Sequence, residues 1–366
     1  MKKKALALLM TTAMTAAMLA GCGSDDSAQA PAESGTEETS ETTEAEESAD
    51  EESTEEAASE ETASEETEAP AADQVYNIGI CQLLEHPALD EATRGFEEAL
   101  TELLGEGNVN FDFQNAQGEQ TNCATICTQF VTNDVDLILA NATAPLQAAA
   151  AATNSIPILG TSITDYATAL DIADWTGATG TNISGTSDLA PLEEQENMLV
   201  ELFPDVKKVG ILYCSAEANS VYQAQVFEQY LEEDGIEYEE YTAADSNEIQ
   251  SVVTNACESC DVLYIPTDNT MAANTETVNN VALPAGVPII AGEEGICGGC
   301  GVATLSISYY DIGYTAGEMA YDILVNGADI TTMDVKFAPQ VTKEYNASIC
   351  ETLGVTIPDD YVAIEQ

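Results

Sequence analysis

Short apolar runs alternate with amphipathic stretches over residues 73–366. The first series of apolar runs is VYNIGI (75–80), VNFDFQ (109–114), VDLILA (135–140) and IPIL (156–159). The second series is KVGILYC (208–214), IEYEEY (236–241), DVLYIP (261–266) and VPIIA (287–291). Between these runs apolar residues recur at helical spacing, as in PALDEATRGFEEALTELL (87–104). The pattern predicts an α/β protein whose parallel sheets are covered by helices on both faces.

Two complete series predict two Rossmann-like lobes rather than one sheet. The stretch GTNISGTSDLAP (180–191) is rich in Gly, Ser and Thr and suits a hinge. We expect GVATLSISYY (301–310) to cross back, the helix after it to pack on the first lobe, and the tail to return to the second. The expected first lobe is 73–184 plus 304–332, and the expected second lobe is 185–303 plus 333–366. Two α/β lobes with several hinge crossovers are the architecture of the type I periplasmic-binding-protein fold.

The front of the chain is typical of an exported protein. Three lysines precede an Ala-rich apolar run and small residues, which predicts a signal peptide over residues 1–21. The run is too short to span a bilayer. Its ending, LAGC, resembles a bacterial lipobox, which implies cleavage before Cys22 and a lipid on that thiol. We expect an extracytoplasmic protein anchored to the cell membrane by Cys22; the alternative is a secreted protein with a free thiol.

Acidic residues dominate the composition and limit the possible partners. The chain has 66 Asp and Glu against eight Lys and Arg, a formal net charge of −58. Residues 23–72 contain no basic residue and little to bury, so Cys22 and this segment are predicted to form a lipidated, disordered tether over 22–72. The remaining charge repels phosphate backbones, so we expect no nucleic-acid partner. It tolerates cations and zwitterions.

Two Cys-x-x-Cys motifs resemble metal-binding motifs. Nine cysteines follow Cys22, an odd number that does not suggest a complete disulfide framework. The cysteine spacing of zinc-binding sites occurs twice, at Cys257–Cys260 and at Cys297–Cys300. The first precedes a predicted strand and the second follows a later one, so a parallel sheet places them at opposite ends. We expect no metal site and no cofactor; Cys297 and Cys300 either pair locally or remain buried thiols.

The loops after the first-lobe strands carry small hydroxyl residues. In open parallel sheets, ligands bind beyond the carboxyl ends of the strands. Thr143 and Ala144 follow one strand, and Thr161, Ser162 and Asp165 follow another. Hydroxyl groups and free backbone N–H groups at a helix start form a carboxylate site without an arginine. Ordinary helix caps are the alternative interpretation.

Polar residues at the second-lobe strand ends face the same predicted cleft. Ala218, Asn219 and Ser220 begin a helix, while Asp268 and Glu293 end two strands. Either acid is suited to receive an ammonium group; solvated turns are the alternative. From the first lobe, Gln82 and His86 are expected to enter the cleft. This arrangement suits a zwitterion held at both charged ends.

The chain resembles the tryptophan/tyrosine-type substrate-binding proteins of bacterial ABC transporters. The resemblance is carried, in family order, by IGICQLLEHPALD, DFQNAQGEQ, NATAPLQAA, GTSDLAP, SAEANS, YIPTDNTM and AGEEG. It implies that Thr143, Thr161 and Ser162 hold the ligand carboxylate and that Asp268 or Glu293 holds the ammonium. It also implies that Asn219 and Ser220 close over the ligand while Gln82 and His86 border its side chain. The sequence departs from the family pattern at CGGCG (297–301) and at Tyr166, where such proteins often have Pro.

These observations predict a solute-binding lipoprotein rather than an enzyme. The expected ligand is an aromatic or other apolar amino acid, the expected partners are an ABC permease and its ATPase, and the expected state is a monomer. A tethered sensor domain with the same cleft is the alternative. A thiol enzyme using Cys297 and Cys300 is disfavoured, because it needs a low-pKa thiolate and there is little positive charge nearby to supply one.

Overall fold

The computed structural model describes residues 74–365, so the signal peptide, Cys22 and the tether lie outside the described part of the chain. The strands are β1 Tyr76–Gln82, β2 Val109–Asn115, β3 Leu137–Asn141, β4 Ile158–Ile163, β5 Ile183–Ser187, β6 Lys208–Cys214, β7 Glu237–Ala243, β8 Val262–Ile265, β9 Ile289–Ala291, β10 Ala303–Ser306, β11 Lys336–Phe337, β12 Thr342–Tyr345 and β13 Val362–Ala363. The helices are α1 Pro87–Leu104, α2 Gln120–Thr132, α3 Thr143–Ala152, α4 Tyr166–Leu170, α5 Leu192–Leu202, α6 Ala218–Asp234, α7 Ile249–Cys257, α8 Asn269–Ala272, α9 Thr275–Ala285, α10 Glu294–Cys300, α11 Tyr309–Leu324 and α12 Ala347–Leu353, with a short 3₁₀ turn at Ile330–Thr332.

Two sheets form the framework, and they confirm the predicted fold class. The first sheet has the strand order β11-β5-β4-β3-β1-β2, and every neighbouring pair is parallel. The second has the order β13-β12-β10-β9-β8-β6-β7, in which only β10 and β12 run antiparallel. Central strands such as β3 and β8 are buried along their whole length, as continuous apolar runs require. The edge strands β2 and β7 keep exposed or half-exposed positions.

The chain crosses between the sheets at different residues from those expected. Residues 183–187 form β5 of the first sheet, although their small side chains suggested a hinge. The strand at 303–306 belongs to the second sheet, and residues 336–337 pair with β5 in the first. The crossings therefore follow Ser187, Ser306 and Phe337. A hydrophobic pattern identifies strands, but it does not show which sheet a strand joins.

Close helix packing returns α11 to the first lobe. A Cβ added at Gly313 would lie 2.0 Å from the Ala92 carbonyl oxygen, and one at Gly95 would lie 2.2 Å from the Tyr310 carbonyl oxygen. Only glycine permits such an approach between α1 and α11. The contact fixes the start of α11 beside the cleft.

No helix within residues 74–365 is both long and apolar enough to cross a membrane.

Candidate functional site

The strand ends of the two lobes face each other across a cleft. The first-lobe rim comprises the loops that follow β1, β3, β4 and β5, and the second-lobe rim comprises the loops that follow β6, β8 and β9. A cavity of about 960 Å³ lies between the loops that follow β1, β2 and β3 in the first lobe and the loops that follow β6, β7 and β8 in the second. Thr143 and Ala144 line it from the first lobe, and Ala218 and Asn219 line it from the second. The expected cleft is therefore present, with four of the predicted site residues in its wall.

The last residues of β4 and the loop that follows them have an unusual backbone. Ser162 has a φ of +57°, a left-handed conformation that is uncommon outside glycine. Its hydroxyl is buried and has no hydrogen-bond partner among the described residues. Thr161 lies beside it and accepts a hydrogen bond from the Thr186 hydroxyl at 3.1 Å. Asp165 instead caps α4, because its carboxylate accepts the Thr168 amide at 2.7 Å. The loop thus has a polar atom free for a ligand at Ser162 and a helix cap at Asp165.

Gln82 lies beneath the first-lobe rim in a closed hydrogen-bond network. Its side chain is fully buried and donates to the Leu84 carbonyl at 2.9 Å and to Asp90 at 2.7 Å. The Thr93 hydroxyl donates to its amide oxygen at 2.6 Å. These contacts use both ends of the Gln82 amide to shape the loop after β1. The resemblance implied a border of the ligand pocket; the structure gives Gln82 a supporting position instead.

His86 makes a direct contact between the lobes. Its Nε2 lies 3.1 Å from Oδ1 of Asn269 in the second lobe. The Asn269 amide nitrogen donates to Glu217 at 2.7 Å, so its oxygen faces His86 and Nε2 is the donor. The other ring nitrogen, Nδ1, is buried without a partner among the described residues. Burial lowers the pKa of the imidazole, with Asn269 and nearby Glu217 acting in the opposite direction.

The second-lobe acids Asp268 and Glu293 act as caps. Asp268 accepts the Cys214 amide and the Ser220 hydroxyl, each at 2.7 Å, and the Met271 amide at 2.8 Å. Glu293 accepts the amides of Gly295 and Ile296 in the first turn of α10, at 2.6 Å each. Burial is the main reason that the pKa of each acid is raised, for Glu293 to about 7. Both oxygens of each acid therefore already accept hydrogen bonds within the lobe, and the expected ammonium contact stays a prediction.

Asn219 and Ser220 also organise the second-lobe rim. The Asn219 amide donates to the Thr267 carbonyl at 3.0 Å, and Ser220 binds Asp268. Glu217, which the sequence did not single out, accepts the backbone amides of Asn269 and Thr270 at 3.0 and 2.8 Å. The loops after β6 and β8 are therefore tied into one unit, whose outer surface lines the cavity.

Asp188, at the end of β5, was missed by the sequence analysis. It is 4% exposed, and its Oδ1 has no hydrogen-bond partner among the described residues. Its Oδ2 accepts the Tyr309 hydroxyl at 3.0 Å. Burial raises the pKa of this carboxyl to about 6, and the hydroxyl groups of Tyr309 and Thr164 oppose that rise. Asp188 could have been recognised within the motif GTSDLAP, because it directly follows a strand as the other predicted site residues do.

A second cavity of about 670 Å³ borders the same tyrosine. Tyr309, Glu293 and Glu344 line it, together with the start of α1. Tyr309 therefore links this cavity with Asp188, whose carboxylate accepts its hydroxyl.

The cysteines provide no additional chemistry at the rims. All nine cysteines from Cys81 to Cys350 are free thiols. Within residues 74–365, no group of three or more His, Cys, Asp or Glu is arranged to hold a metal ion. Burial raises the pKa of Cys297 and of Cys300, which disfavours the reactive thiolate that a thiol enzyme requires.

The family assignment follows from residues 77–365. They match the model of the ABC transporter substrate binding protein family. The chain belongs to this family. Family members are solute-binding proteins and not enzymes, so the predicted function class and the type I periplasmic-binding-protein fold are confirmed.

Individual relatives agree with the assignment. The chain is 37% identical over 264 residues to a tyrosine-binding protein of Clostridioides difficile strain R20291, covering 70% of this chain and 76% of that protein. A Streptococcus pneumoniae structure, described as an ABC domain in complex with L-Trp, is 32% identical with a TM-score of 0.75, covering 78% of this chain and 97% of that one. A ligand-free, open substrate-binding protein with adhesive properties from Clostridium difficile is 35% identical with a TM-score of 0.61, covering 80% and 100%.

Proposed function

We propose that this substrate-binding protein is a lipid-anchored component of an ABC importer that binds an aromatic or other apolar amino acid between its lobes. It delivers the amino acid to a membrane permease driven by an ATPase, as a monomer. The tyrosine-binding relative and the L-Trp complex support this ligand class.

The buried, unpartnered carboxylate oxygen of Asp188 is the observation that carries the proposal. A buried carboxylate is costly unless it is paired. An ammonium group at Oδ1 supplies both the missing hydrogen bond and the missing charge. The chain has no basic side chain hydrogen-bonded to Asp188 among the described residues, so this positive charge is left to the ligand.

The other end of the ligand fits the loops after β3 and β4. Thr143 begins α3, Thr161 lies near the end of β4, and Ser162 follows it in the same strand with a buried hydroxyl that has no partner among the described residues. Hydroxyl and backbone N–H donors of this kind bind a carboxylate. Asp188 directly follows β5, the strand paired with β4, and its amide donates to the Ile163 carbonyl at 3.2 Å, so we expect the two charged groups of one amino acid to reach both sites. The second-lobe rim, with Ala218 and Asn219, covers the side chain.

A thermal-shift screen of the twenty amino acids, with small sugars and purines as controls, tests the proposal. A ligand that binds only the folded state raises the melting temperature. We expect the largest increase with an aromatic amino acid and none with sugars or purines. An increase with a sugar alone would overturn the ligand class and leave the fold unaffected.

The anchor is tested separately with Cys22→Ser. We expect the wild-type protein in the membrane fraction and the variant in the culture medium. Release of both proteins to the medium would contradict a lipid on Cys22.

A further inference from the structure

Tyr166 occupies a slot that two facing glycines create. Gly160 in β4 and Gly185 in β5 are register partners in the first sheet. A Cβ added at either position would lie 2.4 Å from the Tyr166 hydroxyl oxygen. The hydroxyl thus fills the space of two missing side chains and donates to the Thr186 carbonyl at 3.2 Å. Gly185 is further restricted by its φ of +143°, which L side chains rarely adopt.

The slot lies directly before the irregular part of β4. The pairing of β4 with β5 shifts register between Gly160 and Ile163, a bulge that contains Thr161 and the left-handed Ser162. Bulges redirect side chains and are enriched next to functional sites. Tyr166 begins α4 immediately after this loop and is 2% exposed. Its ring therefore packs behind the residues that face the cleft.

One side chain restrains both strands of the bulge. The hydroxyl of Tyr166 binds the carbonyl of Thr186, while the hydroxyl of Thr186 binds Thr161 at 3.1 Å. Two residues after Thr186, the chain reaches Asp188. A shift of Tyr166 is therefore transmitted to the hydroxyl loop on β4 and to the acid on β5.

We propose that Tyr166 is a positioning residue of the ligand site, which holds Ser162 and Asp188 at the separation that one amino acid requires. The inference rests on the proposed function. It assigns a role to the residue that departs from the family pattern: the aromatic ring and the glycine slot act as one unit.

Trp175 gives this unit a spectroscopic signal. It is the single tryptophan of the chain, and its ring stacks on Tyr166 with centroids 6.3 Å apart and planes at 18°. A ligand held by the loop that Tyr166 supports changes the surroundings of the stacked indole. We expect ligand binding to change Trp175 fluorescence.

The test compares Tyr166→Phe with Tyr76→Phe. Tyr76 is also buried, and its hydroxyl donates to the Leu324 carbonyl at 3.1 Å, but it lies at the beginning of β1, away from the rims. Both variants lose one buried hydrogen bond, so similar losses of melting temperature are expected. By calorimetric titration with L-tyrosine, Tyr166→Phe should bind roughly tenfold more weakly, while Tyr76→Phe stays within about twofold of wild type. The ligand-induced change in Trp175 emission should be reduced only in Tyr166→Phe.

A second variant tests the slot itself. Gly160→Ala places a methyl group against the Tyr166 hydroxyl and should weaken binding in the wild-type background. In the Tyr166→Phe background the hydroxyl is absent, so the added methyl group should weaken binding less. Equal effects of Gly160→Ala in both backgrounds would overturn the slot, as would wild-type affinity in Tyr166→Phe.

Wild-type behaviour separates this inference from the proposed function. If the wild-type protein binds none of the twenty amino acids, the proposed function fails and the inference fails with it. If wild type binds L-tyrosine and Tyr166→Phe binds it equally well, only the inference is overturned.

Discussion

On the first-lobe rim, Ser162 and Asp188 each have a buried polar atom without a hydrogen-bond partner among the described residues. On the second-lobe rim, by contrast, Asp268 and Glu293 accept hydrogen bonds at both carboxylate oxygens from groups of their own lobe. The two rims have the same kinds of residue in the same place, at the carboxyl ends of parallel strands. They differ in how many donors surround each acid. The two polar atoms on the first rim are left to bond a ligand, whereas the two acids on the second rim are already hydrogen-bonded within the protein.

This difference indicates a division of labour between the lobes. A rim with unpaired polar atoms gains free energy from a ligand that supplies the missing partners. A rim whose polar atoms are paired keeps its shape whether or not a ligand is present. We infer that the first lobe recognises the charged ends of the ligand and that the second lobe closes over it as a rigid surface.

The largest effect is expected from Asp268→Ala. The change removes the acceptor of three hydrogen bonds and leaves buried donors at Cys214 and Met271 without a partner. We expect the free energy of unfolding to fall by about 3 kcal/mol or more, measured by chemical denaturation. Asp205→Ala, at an exposed position of the same lobe, is the control and should change little. Unchanged stability together with lost ligand affinity would show that Asp268 contacts the ligand, which would contradict the difference between the two rims.

Asp188→Asn should show the opposite pattern. We expect the amino-acid affinity to fall by about 1.5–3 kcal/mol, because a charge-assisted contact to the ammonium is lost. The melting temperature of the unliganded protein should not fall, since a buried carboxyl without a basic partner is replaced by a neutral amide whose oxygen can still accept the Tyr309 hydroxyl. Calorimetric titration and thermal unfolding of the same samples measure both quantities. Unchanged affinity would remove Asp188 from the site.

Much of the fold could be predicted from the sequence. Whether an acid at a strand end caps a helix or contacts a ligand could not. Continuous apolar runs identified central strands such as β3 and β8, because burial on both faces leaves no polar position. The four-residue α8 and the seven-residue α10 are too short for helical periodicity to reveal them. Asp268 and Glu293 resembled ligand acids, because a cap and a ligand contact require the same residue type. Only the positions of the surrounding donors distinguish the two.

Asp188 was missed for a related reason. The stretch at 183–188 is rich in small residues and was interpreted as a hinge, although small residues here allow β4 and β5 to approach closely at Gly160 and Gly185. The rule that ligands bind beyond strand ends applies to β5 as it does to β3 and β4. The pairing of residues 183–187 with β4 decided between a hinge and a strand, and the sequence pattern alone does not contain that pairing.

Ligand affinity should depend on pH through the first-lobe rim. Burial raises the pKa of Asp188 to about 6, and only the ionised carboxylate makes the charge-assisted contact. Affinity should therefore be about tenfold lower at pH 5 than at pH 7. Titration calorimetry over this range measures it, and Asp188→Asn should flatten the dependence. His86→Asn is the control for the imidazole: a flat profile in that variant would assign the pH dependence to His86 instead.

The stability of the unliganded protein should change in the opposite direction with pH. The pKa values of Asp188 and Glu293 are raised to about 6 and 7, so the folded state holds these protons more tightly than the unfolded chain does. This contribution to stability is fully present below the usual carboxyl pKa near 4 and is lost as the pH rises through 6 to 7. We expect the melting temperature to fall by several degrees between pH 5 and pH 8. A rise over that range would contradict the burial of both acids.

Alkylation should have the smallest effect, and it tests whether either rim depends on its thiols. Cys81 lies behind the first rim and Cys214 lines the cavity at the second, yet both are at most 2% exposed. Cys257, at the end of α7, is partly exposed, but burial raises its pKa to about 11, which keeps it a slow nucleophile. Among the nine cysteines from Cys81 to Cys350, we expect iodoacetamide to modify at most Cys257 in the native protein, as measured by mass spectrometry, with no change in amino-acid affinity. Rapid labelling of Cys214 with loss of binding would show that the second rim opens on its own, because a closed and internally paired rim does not expose that sulfur.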